Sequence, residues 1–174
     1  DYTYQIAEGN ASDPRDRLLA EQAGNEPVKQ LVPLAWDRRH QLNVRAAVGR
    51  ADRGFGLVSL VGQLGSGLPY TPTQADQRTG VENSARRPGV ATVDLFATRR
   101  VRLGGLAPGL FLRVYNLLDA RNVTNVYTDT GLPTPNLRYY SGAALGLNTK
   151  DEFLRRPDFY VAPRLVQVGV SLDL

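Results

Sequence analysis

His40 is the only histidine in the chain, and "DRRH" sets Asp37 three residues before it, so any metal or acid–base chemistry would start there. A zinc-type site needs three or four His, Cys or carboxylate ligands. The chain has no cysteine, and the stretch around "DRRH" lacks the further ligands. A Ser-His-Asp arrangement would have to use the same histidine, and no serine stands in a strand-to-helix elbow. The motif is therefore expected to be a polar start to a strand. "GQLGSG" carries glycines without the lysine and helix of a phosphate loop, and its spacing is wrong for a dinucleotide fingerprint. Glycine on a tightly curved strand is the expectation there. Asn10 and Asn122 open glycosylation sequons to which no role is assigned. No catalytic residue, metal ligand or cofactor is expected, and the protein is not expected to be an enzyme.

Arginine is the remaining reactive type. The net charge is +4, and lysine occurs only at Lys29 and Lys150. Guanidinium forks suit phosphates and carboxylates. A nucleic-acid binder would gather such residues with stacking aromatics on one face; here acidic residues are interleaved, so no nucleic-acid partner is expected. Arg45, Arg100, Arg102 and Arg113 share the parity of polar positions, either as a positive wall or paired with Asp94 and Asp173.

The elements that carry these residues read as strands. In "LVQVGVSLDL", Val166, Val168, Val170, Leu172 and Leu174 alternate with Gln167, Gly169, Ser171 and Asp173, the period of two of a β-strand. The same alternation runs through "DYTYQIA", "QLNVRAAVGR", "FGLVSLVGQLGSG" and "VATVDLFATRRVRL". In "LFLRVYNLLDARNVTNVY" it breaks at "NLLDARN", which predicts a bulge or kink. "ADRG" and "GGLAPG" are short turns. Residues 8–36, with a helical turn at "RLLAEQAG", 71–89 and 129–158 are long loops. No run reaches the roughly 18 apolar residues of a membrane helix.

About six antiparallel strands, each with one aliphatic face and joined alternately by short and long connections, predict an all-β fold. Short turns at one end and long loops at the other are the layout of a transmembrane β-barrel, apolar toward lipid and polar toward the lumen. Tyr70, Tyr127 and Tyr160 at the long-loop ends and Phe55 at a short-turn end agree with interfacial girdles. Arg99 is a misfit: parity puts it on the aliphatic face, near the short turn where it can snorkel. Six strands cannot close a barrel whose smallest members have about eight. The expectation is thus residues 1–174 as the C-terminal part of a larger barrel, with Arg45, Arg100, Arg102 and Arg113 facing the lumen. A soluble all-β binding domain is the alternative; the barrel reading expects the isolated chain to aggregate in water.

The segments "PLAWDRRHQLNV", "GSGLPYTP", "VDLFATRRVRL", "FLRVYNLLDARNVTNVY" with "DTG", and "APRLVQVGVSLDL" resemble, in this order, the C-terminal barrel region of TonB-dependent receptors. The type most similar carries an N-terminal carboxypeptidase-regulatory-like domain. The resemblance runs from Pro33 onward. It implies a barrel of about 22 strands in the outer membrane of a Gram-negative bacterium, with short periplasmic turns and long extracellular loops. It also implies a plug, and a TonB complex engaged through an N-terminal region that these residues do not include. The cargo would be a scarce nutrient such as a siderophore, cofactor, oligosaccharide or peptide, with ligand-contacting residues unknown. Lipid and lipopolysaccharide would surround the barrel, and Arg86 and Arg87 suit lipopolysaccharide phosphates. The terminal strand, with Tyr160, Val166, Val168, Val170, Leu172 and Leu174, resembles the signal read by the barrel assembly machinery, although that signal usually ends in an aromatic. A passive porin or structural outer-membrane barrel would keep the same strands.

Overall fold

The computed structural model describes residues 1–24, 26, 29–50, 56–74, 77–134, 136–137, 149, 152 and 156–172. Within them, β1 (Tyr2–Tyr4), β2 (His40–Arg50), β3 (Gly56–Gly65), β4 (Val90–Arg100), β5 (Gly109–Tyr115) and β6 (Leu165–Ser171) form one six-stranded sheet. Every strand pairs antiparallel with its sequence neighbour, so chain order and sheet order coincide. The long connections 5–39, 66–89 and 116–164 therefore all emerge at one end, and 51–55 and 101–108 at the other. The helix α1 (Asp16–Gln22) lies in the first long connection, where the helical turn is expected. No described helix is long and apolar enough to cross a membrane.

Register converts the alternation of single strands into faces. One rung reads Ala46, Leu60, Leu95, Val114, Val166 across five strands, and the next reads Val48, Val58, Ala97, Leu112, Val168. Toward the long-loop end follow Val44, Gly62, Val93 and then Tyr2, Leu42, Leu64, Ala91. Toward the short-turn end the next rung reads Arg99, Leu110, Val170 across β4, β5 and β6. The opposite face reads Asn43, Gln63, Thr92; Arg45, Val61, Asp94; and Ala47, Ser59, Phe96, Arg113, Gln167. A one-residue slip on any strand would mix the two sets.

Apart from Val114, which is buried, the aliphatic face is largely uncovered. Val48 and Val168 are each 78% exposed and Val170 is 61% exposed. Prolines aside, the buried apolar side chains among the described residues are Val32, Val114 and Phe159, two of them outside the sheet. The chain exposes 12459 Å², whereas a folded monomer of its 19.1 kDa would expose about 8,400 Å². The missing burial is that of a sheet whose apolar side meets no second layer.

Three strand expectations differ in extent. The last strand begins at Leu165, not Tyr160, because Pro163 cannot donate to a ladder. Tyr160 instead forms an isolated bridge with Val123, and Leu172 follows the strand's last residue. The bulge expected at "NLLDARN" is a turn that ends the strand: β5 stops at Tyr115, and Asn116 and Asp119 adopt φ of 51° and 50°. Tyr127 accordingly lies outside any strand, and Tyr70 belongs to a separate two-residue pairing with Ala85. Phe55, Asp173 and Leu174 lie outside the described residues.

Candidate functional site

The long-loop end is organised around one carboxylate. Asp37, just before β2, is wholly buried. The Ala7 N–H donates to its Oδ1 at 3.0 Å, and Oδ2 accepts from Arg39 Nε at 2.8 Å and from Arg86 Nη2 at 2.5 Å. Arg86 Nη1 also donates to the backbone carbonyls of Asp37 at 2.8 Å and Gly67 at 3.3 Å, while Arg39 Nη2 reaches Glu8 at 3.3 Å. Burial pushes the Asp37 carboxyl up, but the Ala7 amide and the Arg86 and Arg39 guanidinium groups outweigh it and hold the carboxyl below the usual carboxylate range. Pairing with Asp37 in turn raises Arg39. The Asp37 carboxylate thus fastens segments near residues 7, 39 and 86, and Arg86 extends the link to Gly67, so "DRRH" is a fastening and not only a polar strand start. Arg86 donates to Asp37 and Gly67, and Arg87 donates to the Thr124 carbonyl.

A second network covers the flank of β4 beyond the end of β5. Asn122, buried, returns both backbone bonds of Ala91: its Oδ1 accepts from the Ala91 N–H at 2.8 Å and its Nδ2 donates to the Ala91 carbonyl at 2.7 Å. An amide side chain here does the work of a neighbouring strand, and the sequon at Asn122 is closed to modification. Asp94 Oδ1 accepts the Asn116 N–H at 2.8 Å, and Asn116 Oδ1 accepts the Ala120 N–H at 2.9 Å. Asn and Asp supply left-handed backbone at low cost, which is why the turn can sit here.

In "GQLGSG" it is Gly67 that answers a close backbone approach, whereas Gly62 has only ordinary contacts and Gly65 faces the end of a side chain. A Cβ on Gly67 would lie 1.6 Å from the Arg87 carbonyl oxygen, and one on Gly65 would lie 2.1 Å from Arg38 Nη1.

His40 stands at the long-loop end of the aliphatic face, paired with Tyr4; its Nδ1 lies 2.8 Å from the Tyr2 hydroxyl and its ring 5.2 Å from that of Tyr4. Among the described residues no three His, Cys, Asp or Glu side chains gather as a metal centre requires. Of the arginines expected on the polar side, Arg45, Arg100 and Arg113 lie on that face and are exposed. Arg100 and Arg113 line one cleft of about 330 Å³ with Phe111 and Ser171. The Arg113 guanidinium lies 5.0 Å from the Phe111 ring centre, and that ring covers Gly169 of β6. Arg45, on β2, is two strands from Arg100 and three from Arg113. Arg102 lies past the end of β4 in the turn, so strand parity does not assign it a face. Asp94, proposed from sequence as an arginine partner, is engaged by the Asn116 amide.

Sequence reasoning named Asp37 and Asn122 without the roles they take here, and did not single out Asn116. The only signal was an Asn-rich break in a strand period; nothing local announces a buried carboxylate between two arginines. Comparisons with protein-family models, with curated proteins and with solved structures return no match.

Proposed function

We propose that this chain is the C-terminal part of the barrel of a TonB-dependent receptor in the outer membrane of a Gram-negative bacterium. One observation carries the reading: an exposed aliphatic face that continues in register across the sheet, with polar residues on the other side. In water that face would be a large penalty; against lipid it is the required surface. The strands β2, β3 and β4 contain 11, 10 and 11 residues, the length with which a tilted strand crosses the hydrocarbon layer. Tyr2, Tyr4 and Trp36, all more than half exposed, stand at the long-loop end as an interfacial girdle would. Further strands must pair with β1 and β6, because open sheet edges do not persist in hydrocarbon.

In this reading the long connections face outward and contact nutrient and lipopolysaccharide, Arg45, Arg100 and Arg113 face the lumen and its plug, and an upstream region engages the TonB complex. The β6 positions Val166, Val168 and Val170 present the aliphatic ladder that the barrel assembly machinery would recognise. The resemblance of the sequence segments favours a receptor over a passive porin. The test is the intact mass of the protein that carries "RPDFYVAPR", recovered in detergent from an outer-membrane fraction, together with cross-linking to TonB. A mass several times 19.1 kDa and a TonB adduct are expected. A protein of that small mass recovered without detergent would overturn the barrel. A large outer-membrane barrel without a TonB adduct would make it a porin.

A further inference from the structure

Arg99 interrupts the aliphatic face. By register it stands opposite Leu110 and two residues beyond Ala97, on the side that otherwise carries leucine, valine and alanine. It is exposed, and among the described residues no carboxylate or hydrogen-bond acceptor holds it. Beside it lies an apolar groove of about 330 Å³, lined by Gly56, Val58, Ala97, Leu112 and Val168 as well as Arg99. The groove exists because Gly56 and Ala97 are small where neighbouring positions carry larger side chains. A Cβ on Gly56 would come within 3.3 Å of the Arg99 Cβ and 2.5 Å of the Thr98 carbonyl oxygen. From Leu95 on β4 through the turn and β5 the charge is of one sign: residues 95–118 include Arg99, Arg100, Arg102 and Arg113 and no aspartate or glutamate, while Asp52 of the 51–55 connection lies outside the described residues. By alternation, Asp173 falls with the face of Arg100 and not with that of Arg99.

We propose that Arg99 and this groove form a site for an anionic phospholipid. The inference rests on the barrel reading above. The guanidinium takes the lipid phosphate, for which its fork is suited, and an acyl chain lies along Val58, Ala97, Leu112 and Val168. The short-turn end sets Arg99 at headgroup height, where an arginine on the lipid face costs about 0–1 kcal/mol, against about 2–4 kcal/mol at the midplane. Among the described residues the charges beside Arg99 on β4 and β5 are all positive, which selects a net-negative headgroup over a zwitterionic one.

The test uses the intact protein that carries this chain, extracted in detergent, stripped of lipid and offered phosphatidylglycerol or phosphatidylcholine, with retained lipid counted by native mass spectrometry. Wild type retains phosphatidylglycerol preferentially. R99Q retains about fivefold less, the loss expected for one basic residue near a lipid surface. A97F, which fills the groove and keeps the charge, also loses lipid, and millimolar inorganic phosphate does not displace it. Equal retention by wild type, R99Q and A97F in a protein that still shows a heat-modifiable, inserted barrel overturns the lipid site alone. Displacement by free phosphate also overturns it, leaving an anion site without lipid. Recovery of the protein in the aqueous fraction without detergent overturns the site and the barrel together.

Discussion

Asp37 is the residue on which most of the loop end depends. Arg39 and Arg86 keep partial access to water, at 25% and 32% side-chain exposure, so loss of the charge should cost less than a fully buried pair. Asp37→Asn is expected to make local opening cheaper by about 2 kcal/mol, read as faster amide exchange at Ala7 and Arg87; unchanged exchange at neutral pH would remove Asp37 from this role. The sign with pH follows from the lowered carboxyl. Its folded value lies below its unfolded one, so its contribution is complete above about pH 4 and is lost as pH falls through the folded value. Wild-type exchange at these amides should therefore be flat from pH 7 to about 4, after correction for intrinsic rates, and rise only below. The Asn variant should show no such rise.

The element most sensitive to a single atom is the turn that ends β5. Asn116 combines φ of 51° with four side-chain and backbone hydrogen bonds, to Asp94, Ala120 and Ala162. Asn116→Gly keeps the left-handed backbone and loses the side-chain bonds; Asn116→Ala loses both. Ala is expected to be less stable than Gly by about 1 kcal/mol, measured as the difference in unfolding midpoint of the intact protein. An equal loss for both variants would mean that backbone strain plays no part. The sequence showed that the strand period fails at "NLLDARN", because alternation is local. It did not show that the failure is a turn and not a bulge, since the partners that decide this, Asp94 and Ala162, lie 22 and 46 residues away.

For the molecule as a whole, the decisive property is the difference between the two faces. Val44 on the aliphatic face and Ala47 on the polar face lie on the same strand. The proposed lipid-facing assignment predicts that, in bilayers, Val44→Arg destabilises the intact protein by about 2–4 kcal/mol, whereas Ala47→Arg stays within about 1 kcal/mol. Equilibrium unfolding from vesicles measures both, and equal effects would end the lipid-facing assignment. The isolated residues 1–174 are expected to aggregate in water, because an uncovered aliphatic face and two strand edges have nothing to pair with. A soluble monomer with a sharp two-state melt would contradict this.

The sequence by itself determined the strands and their faces, because side-chain alternation is a property of consecutive residues and survives without neighbours. It also determined the alternation of long and short connections and the oddity of Arg99. Tertiary structure decided what distant residues do to one another: that Asp37 joins Arg39 to Arg86, that Asn122 stands in for a strand beside Ala91, and that Gly67 yields to the backbone at Arg87. It also decided that Arg100 and Arg113 share a cleft while Arg45 stands apart. Those outcomes depend on register across strands separated by long loops, and a contact between positions 37 and 86 leaves no periodic trace in the chain.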